Sequence, residues 1–365
     1  MGRILSFFFI FSTIIAKPIH ADPHTIKSDV EAHDHAKILQ AIHSSKIGLD
    51  AAANHFEPLA RSVAGSCLYK FYSNYLQKNL VARVQKGSFA DASALYHDVI
   101  IASQEGYSPK VYLANDALGV IILEEIAHQW PTERYSLSFF RKITQPLRQM
   151  HQGHSFQRKK LFYEWLDDVE EKLKTKNIPI PTFQTDYFKQ YETIKLALKS
   201  NISIFEKDIM PTHHDINPGN ILFDQKQAYL IDFETASQDI FYLDLAEAFN
   251  FFIYDNTKIQ SFLTSYFMKE PNEEQISKFT LFKALAFLKN GLWLAHISGV
   301  NKLPDDKNIL EYPLFEARIR KGLVDFSNPQ ELQNLAISEF DEGIRLLNEP
   351  QCKKAIAFLF SAQKA

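Results

Sequence analysis

The sequence predicts an α+β fold of two lobes, in which a small β-rich lobe precedes a larger, mostly helical lobe. At 365 residues the chain exceeds a comfortable single core. Short apolar runs typical of strands lie between residues 57 and 126, and helical periodicity dominates from 127 to 365. An apolar content of 46%, with 30 Phe, favours well-packed cores over disorder.

The N-terminus predicts export. Met1-Gly2-Arg3 is a short basic start, and the apolar run from Ile4 to Ala16 has signal-peptide length but is too short for a bilayer span. We therefore assign residues 1–21 to a signal-peptide-like segment, with cleavage after Ala16 or Ala21, and expect no stable membrane span in the mature chain. An uncleaved anchor and a mis-assigned start codon, which would leave a cytoplasmic protein, are the alternatives.

The elements follow in the order helix, strand, strand, helix, strand, strand, and then many helices. Residues 22–56 predict a helical extension, residues 57–126 the small lobe, and residues 127–365 the helical lobe. Strands are predicted at Cys67 to Tyr72, Asn79 to Val84, Lys110 to Leu113 and Gly119 to Glu124, with a helix from Ala90 to Glu105 between the second and third. The main helices are predicted at Leu137 to His151, Arg158 to Thr175, Tyr187 to Phe205 and Leu243 to Phe252.

The segment from 213 to 234 interrupts this helical pattern and carries the chemistry. Two apolar runs, Ile221 to Phe223 and Tyr229 to Ile231, flank a polar turn and predict an antiparallel hairpin. Reflection about the turn places Asn220 opposite Ile231, which brings Asn220 and Asp232 within about 5 to 8 Å of each other. Their amide and carboxylate oxygens are hard ligands that suit Mg²⁺ beside ATP phosphates.

Asp215 lies five residues before Asn220 on a turn-forming loop, where it is placed to accept the proton of a hydroxyl substrate. A capped turn followed by a buried hairpin would also explain Asp215 and Asn220 without catalysis. Two further acidic segments follow, Ile231 to Glu234 and Leu243 to Ala246, and they favour phosphoryl transfer instead.

These motifs resemble the aminoglycoside phosphotransferase and choline kinase superfamily, whose site reads H-G-D-x-x-P/x-G-N-I-L followed by I-D-F/W-E. The resemblance implies the bilobal protein-kinase-like fold with ATP and Mg²⁺ as cofactors. It makes Asp215 the catalytic base and Asn220 and Asp232 the metal ligands. Supporting positions are His213, Glu234 and Asp244, and His214 stands where the family commonly has Gly.

Upstream residues extend the resemblance to the nucleotide. Arg83 matches the strand cation that contacts phosphate, and Glu124 to Ile126 matches the hinge whose backbone binds adenine. Gly65 and Ser66 lie in the expected phosphate-covering loop, which has one Gly where such loops often have more. The helix Glu that usually pairs with the strand cation is missing between Leu95 and His97, and Asp91 or Asp98 is the nearest substitute.

Protein kinases and nucleic-acid binders fit less well. Asn217 replaces the Lys that protein kinases place two residues after the catalytic Asp, and neither D-F-G nor A-P-E is present. The net charge is −3 and the sequence has no basic run, so we expect no nucleic-acid partner.

Cys67 and Cys352 show no metal-site spacing and fall in different lobes. The sequence does not predict an oligomeric state.

The acceptor is expected to be a small hydroxyl compound. Asn290 to Ala295 resembles the W-G-L-W stretch of choline kinases, so Trp293 is a candidate for holding a quaternary ammonium, although the spacing alone favours an aromatic residue on the buried stripe of a helix. Asp239 and Glu247 are alternative contacts for an amino-bearing acceptor. Choline or ethanolamine is placed ahead of an aminoglycoside or amino sugar. The competing hypothesis is a noncatalytic nucleotide-binding or interaction protein on a degenerate kinase fold.

Overall fold

The computed structural model of the protein describes residues 23–45, 55–61, 66–85, 92–131 and 135–361. The chain forms two compact units. The first comprises residues 1–132 and 218–236, and the second comprises residues 133–217 and 237–365. The predicted α+β class is confirmed, since the first unit is built on an antiparallel sheet and the second is mostly helical. Within the described residues, no helix is both long and apolar enough to cross a membrane.

The first unit is built on a sheet of five antiparallel strands in the order β1-β2-β3-β5-β4. Its strands and helices are α1 (Pro23–Ser44), β1 (Glu57–Arg61), β2 (Cys67–Ser73), β3 (Lys78–Val84), α2 (Ala92–Gln104), β4 (Val111–Asn115) and β5 (Val120–Glu124). The four predicted strands and the predicted helix are confirmed to within a few residues. Strand β1 was not predicted, because its Pro58 and its charged ends lack a strand pattern.

Helix α1 is part of the core of this unit. Ile38, Ala41 and Ile42 of α1 are buried in one cluster with alternate residues of β2 and β3. The hydroxyl of Tyr69 on β2 donates to the Asp34 carboxylate at 2.7 Å, and both side chains are buried. The residues that alternate with this cluster along β2 and β3 point to the other face of the sheet.

The hairpin predicted near the motif is present and packs in the first unit. Strands β7 (Ile221–Phe223) and β8 (Ala228–Leu230) pair antiparallel, with Ile221 opposite Leu230. The N–H of Ile231 donates to the carbonyl of Asn220 at 3.0 Å, so residues 220 and 231 face each other as predicted. The N–H of Leu230 donates to the Tyr107 carbonyl, which ties the hairpin to the segment before β4.

The second unit contains the remaining helices and one short strand pair. Its elements are α3 (Leu137–His151), α4 (Phe162–Thr175), α5 (Thr185–Ser200), β6 (Ile209–Thr212), β9 (Ser237–Ile240), α6 (Tyr242–Phe252), α7 (Ile259–Phe267), α8 (Glu273–Ser298), α9 (Tyr312–Arg320), α10 (Pro329–Asn348) and α11 (Pro350–Ser361). Strands β6 and β9 pair antiparallel and were not predicted. Helix α4 starts after the prediction because Glu164 caps it by accepting from the N–H of Leu161.

Helix α8 is the central helix of this unit, and it packs closely on α10 at Gly291. A Cβ at Gly291 would lie 2.8 Å from the carbonyl oxygen of Ala336 and 2.8 Å from the amide nitrogen of Phe340. Real Cβ atoms do not approach backbone that closely, so glycine sets the distance between the two helices.

We expect Gly291→Ala to lower the free energy of unfolding by about 1 to 2 kcal/mol, because the overpacking penalty exceeds the gain in helix propensity. Urea denaturation measures this. Gly343→Ala is the graded control. A Cβ there would meet side-chain carbons of Leu288 first and backbone only at the Ala284 carbonyl oxygen, 3.0 Å away, so this variant should lose less stability. A Gly291→Ala protein more stable than wild type would contradict the close packing.

Candidate functional site

The first unit contains a cavity of about 380 Å³ between the sheet and the hairpin. Its walls are largely apolar, and its polar side chains come from separate elements of the unit. The lining includes Ser66, Leu68, Val81, Arg83, Ile121, Leu123, Glu124, Ile126, His128, Asn220, Leu222, Ile231 and Asp232. All six predicted nucleotide and metal residues other than Gly65 therefore border one cavity. Gly65 lies outside the described residues.

Arg83 contacts the other polar residues at one end of this cavity. Its guanidinium donates to the hydroxyl of Ser66 at 3.1 Å, pairs with Glu234, and lies 3.3 Å from Asp232. Arg83 is largely buried, so these partners hold its charge inside the protein. Glu234 thus supplies a carboxylate for the strand cation, a role for which the sequence pointed to Asp91 or Asp98. Asp91 lies outside the described residues, and Asp98 on α2 contacts His97.

The hinge segment lines the same cavity. Glu124 ends β5, where its carboxylate pairs with Lys78 and its N–H donates to the Lys110 carbonyl. The next residues run alongside the hairpin, where the N–H of Phe223 donates to the His128 ring at 2.9 Å. Burial lowers the pKa of His128, which keeps the ring neutral and able to accept this bond.

Asn220 and Asp232 fit a divalent metal by the chemistry of their donor atoms. Both border the cavity, and one offers an amide oxygen while the other offers a carboxylate. Asp232 has a left-handed backbone conformation, with φ of 67°, which costs free energy for a non-glycine residue. Among the described residues, no cluster of three or more His, Cys, Asp or Glu side chains is arranged for a metal, so Mg²⁺ would need phosphate and water oxygens as well.

The second unit contains the loop of Asp215, which two acidic residues of α6 fix through its backbone. The Asp244 carboxylate accepts from the N–H of His213 at 2.8 Å and from the N–H of His214 at 2.9 Å. Glu247, one helical turn further, accepts from the N–H of Ile216 at 2.9 Å. Asp215 itself is half-buried and accepts from the amide of Asn217 at 2.8 Å.

Asp244 stays ionised although it is fully buried. Burial acts to raise its pKa, but the hydrogen bond and the electrostatic interaction with His151 outweigh this and bring the pKa below its ordinary value. The His151 ring lies 3.0 Å from the Asp244 carboxylate on one side and 2.7 Å from the Tyr266 hydroxyl on the other. The sequence analysis predicted that this helix ends at His151 but gave His151 no role.

His214 has a left-handed backbone with φ of 68°, a conformation that explains why glycine is common here in the family. Its side chain compensates for this strain. The His214 ring lies 2.9 Å from the Ser237 hydroxyl and 3.2 Å from the Asp239 carboxylate, and its carbonyl accepts from Lys289. Lys289, one of three buried lysines of α8, was missed; its position within the largely apolar sequence from Leu281 to Leu294 was the available signal.

The acidic residues first considered as acceptor contacts lie in the interior. Asp239 is 0% exposed and Glu247 is 1% exposed, so a substrate cannot touch either side chain in this structure. We therefore do not retain them as acceptor contacts. Trp293 is 36% exposed on α8, where its ring packs against Trp165 and lies under the ammonium of Lys172 at 5.8 Å.

Three comparisons relate this geometry to known proteins. Residues 123–287 match the family model described as choline/ethanolamine kinase. No curated protein matches the sequence. The predicted resemblance to choline kinases is confirmed over residues 123–287, and the similarity to solved kinase structures confirms the predicted protein-kinase-like fold.

Among solved structures, a choline/ethanolamine kinase family protein from Mesorhizobium loti is 16% identical, with 91% of this chain and 99% of that chain covered and a TM-score of 0.62. An ethanolamine kinase from Plasmodium vivax is 13% identical, with 90% of each chain covered and a TM-score of 0.57. A macrolide 2′-phosphotransferase from Brachybacterium faecium is 11% identical, with 75% of this chain and 99% of that chain covered and a TM-score of 0.51.

We expect His214→Gly to be more stable than His214→Ala by about 0.5 to 1 kcal/mol, because only glycine removes the cost of the left-handed backbone. Both variants should be less stable than wild type, since both lose the ring contacts with Ser237 and Asp239. Urea denaturation of the three proteins checks the order. A more stable alanine variant would contradict the strain argument.

The buried pair of His214 and Asp239 also predicts how stability depends on pH. Burial raises the pKa of Asp239 from 3.8 to about 8, so the free energy of unfolding falls as pH rises through that window. Burial lowers the pKa of His214 from 6.5 to about 3, so the same free energy rises with pH below 6.5. The two slopes oppose each other at lower pH, and only that of Asp239 remains between pH 6.5 and 8.

We expect Asp239→Asn to reduce the loss of stability between pH 6.5 and 8 by about 1 kcal/mol. Chemical denaturation at both pH values measures this loss. Asp255→Asn is the control, because Asp255 is only partly buried and hydrogen bonds with Thr257 lower its pKa, so it is ionised throughout the window. An unchanged slope in Asp239→Asn would contradict the buried neutral carboxyl.

Proposed function

We propose that this protein is an ATP- and Mg²⁺-dependent phosphotransferase that phosphorylates a hydroxyl group of a small molecule. The observation that carries the proposal is the cavity of the first unit, which Arg83, Asn220 and Asp232 border together. Its apolar walls suit a purine base, and its polar end offers a cation for phosphate and oxygen ligands for a metal. The match to the choline/ethanolamine kinase family model over residues 123–287 supports the same reaction class.

The first unit supplies the proposed nucleotide and metal contacts, and the second unit supplies the proposed base. Arg83 and Ser66 contact the nucleotide phosphates, and the backbone between Glu124 and Ile126 binds the adenine. Asn220 and Asp232 would hold Mg²⁺, which neutralises phosphate charge when it is bound. Asp215 accepts the proton of the acceptor hydroxyl, and Asp244 together with His213 keeps its loop in place.

The acceptor is proposed to be choline- or ethanolamine-like, on the family match and on Trp293. One observation favours a second class, an amino sugar or aminoglycoside. Lys172 already lies over the Trp293 ring, and Lys289 lies 5.1 Å from the centre of the Trp165 ring, so a quaternary ammonium would meet two like charges at these aromatic faces. A sugar acceptor, selected mainly by hydrogen bonds, is less affected by them.

Export directed by residues 1–21 stays a prediction. Helix α1 begins at Pro23, so cleavage after Ala21 would leave the buried contacts of α1 with the sheet in place. An uncleaved anchor or a cytoplasmic location remains the alternative.

We expect Asp215→Asn to lower kcat by about 10²- to 10⁴-fold with little change in Mg²⁺-ATP affinity, because it removes the base and keeps the shape. Asp232→Asn should instead weaken Mg²⁺-dependent ATP binding, because it removes a metal ligand. Transfer from radiolabelled ATP to choline, ethanolamine, an amino sugar and an aminoglycoside measures the first effect, and calorimetry measures the second.

Asp186→Asn is the matched control, since this carboxylate is 82% exposed and lies on α5. Mg²⁺-ATP binding by wild type without transfer to any acceptor would favour the noncatalytic alternative. A wild-type kcat in Asp215→Asn would remove Asp215 as the base.

A further inference from the structure

The two peptide groups on either side of Asp215 are hydrogen-bonded to the two partners of one buried ion pair. The carbonyl of His214, which precedes Asp215, accepts from the ammonium of Lys289 at 2.5 Å. The N–H of Ile216, which follows Asp215, donates to the Glu247 carboxylate at 2.9 Å. Lys289 and Glu247 in turn pair with each other at 2.5 Å.

This ion pair is deep inside the second unit. Lys289 is 4% exposed and Glu247 is 1% exposed, and the ammonium lies over the Trp165 ring. Burial raises the pKa of Glu247, while the charge of Lys289 opposes that rise. Two further acidic groups, Asp244 and Asp215, add repulsion, so the buried carboxylate depends on its lysine.

Stability gives little reason for an ion pair in this position. Desolvation of two charges offsets most of their attraction, and apolar or neutral replacements of similar volume are often as stable. Asp244 already holds the N–H groups of His213 and His214, so the backbone before Asp215 has an anchor of its own. What the ion pair adds is control of the two peptide planes that set the direction of the Asp215 side chain.

We propose that Glu247 and Lys289 form a positioning clamp for Asp215, fixing its carboxylate for proton transfer without touching either substrate. The inference rests on the proposed function, which makes Asp215 the base. A displacement of about 1 Å at a reacting group can cost 10²-fold in rate, so rigid peptide planes at this residue have a direct effect on kcat. Lys289 and Glu247 are positioning residues and not catalytic ones.

The test separates positioning from folding with four variants: Lys289→Met, Glu247→Gln, the double variant, and Lys278→Met. Each single change leaves a buried charge unpaired and should lower Tm. The double variant removes both charges and should recover most of that Tm. If the pair positions Asp215, kcat of the double variant stays about 10- to 100-fold low while KM for ATP changes little.

Lys278→Met is the matched control. Lys278 is on the same helix α8, is equally buried, and pairs with Asp208 at 2.5 Å without a contact to the Asp215 loop. The Tm of Lys278→Met should fall about as much as that of Lys289→Met. Its kcat, measured at a temperature below that Tm, should equal the wild-type value. A double variant with both Tm and kcat restored would overturn the clamp, and so would an equal loss of kcat in Lys278→Met.

Amide hydrogen exchange over residues 213–217 gives a readout that does not need the reaction. Lys289→Met should speed exchange in this segment, and Lys278→Met should not. If wild type transfers phosphate to no acceptor, the proposed function fails while exchange still decides whether the pair holds the loop. Unchanged exchange in Lys289→Met would overturn the clamp whatever the activity.

Discussion

The Asp215 loop depends on one carboxylate that accepts two consecutive backbone N–H groups. Asp244 accepts from the N–H of both His213 and His214, and the left-handed conformation of His214 then turns the chain directly after these two groups, at the peptide that leads to Asp215. Such a buried carboxylate is costly unless it is fully hydrogen-bonded. His151 and its partner Tyr266 supply the rest, so a residue of α3 and one of α7 serve a loop far away in sequence.

The local geometry of the motif could be predicted from the sequence, because it depends only on the spacing of apolar residues and on the residues of the turn. The register of the hairpin follows from reflection about a polar turn, and the structure has that register. The four main strands of the sheet and helix α3 were predicted for the same reason. Strand β9, Ser237 to Ile240, was not, because its polar residues show no alternation and its partner β6 lies 25 residues or more away in sequence.

The sequence could not predict which polar residues are buried. Asp239 and Glu247 were predicted as contacts for an amino-bearing acceptor, since acidic residues rarely lie in the interior unless they are paired. Their partners are His214 and Lys289, which come from other segments and meet them only in the folded chain. The same holds for α1, whose Asp34 accepts from Tyr69 of β2 and makes an apparent extension part of the sheet's core.

Another carboxylate of the first unit replaces the glutamate that is missing from α2. A strand cation at the nucleotide phosphates needs a carboxylate to hold it in place, and the degenerate-kinase alternative arose because α2 has no Glu at the expected position. Arg83 has such a carboxylate in Glu234. Asp232, two residues earlier, and the hydroxyl of Ser66 are its other polar contacts. A carboxylate from the hairpin exit anchors the same charge as one from a helix, since the Coulomb attraction depends on distance and burial and not on the element of origin. The absent helix residue is therefore no argument against phosphoryl transfer by this chain.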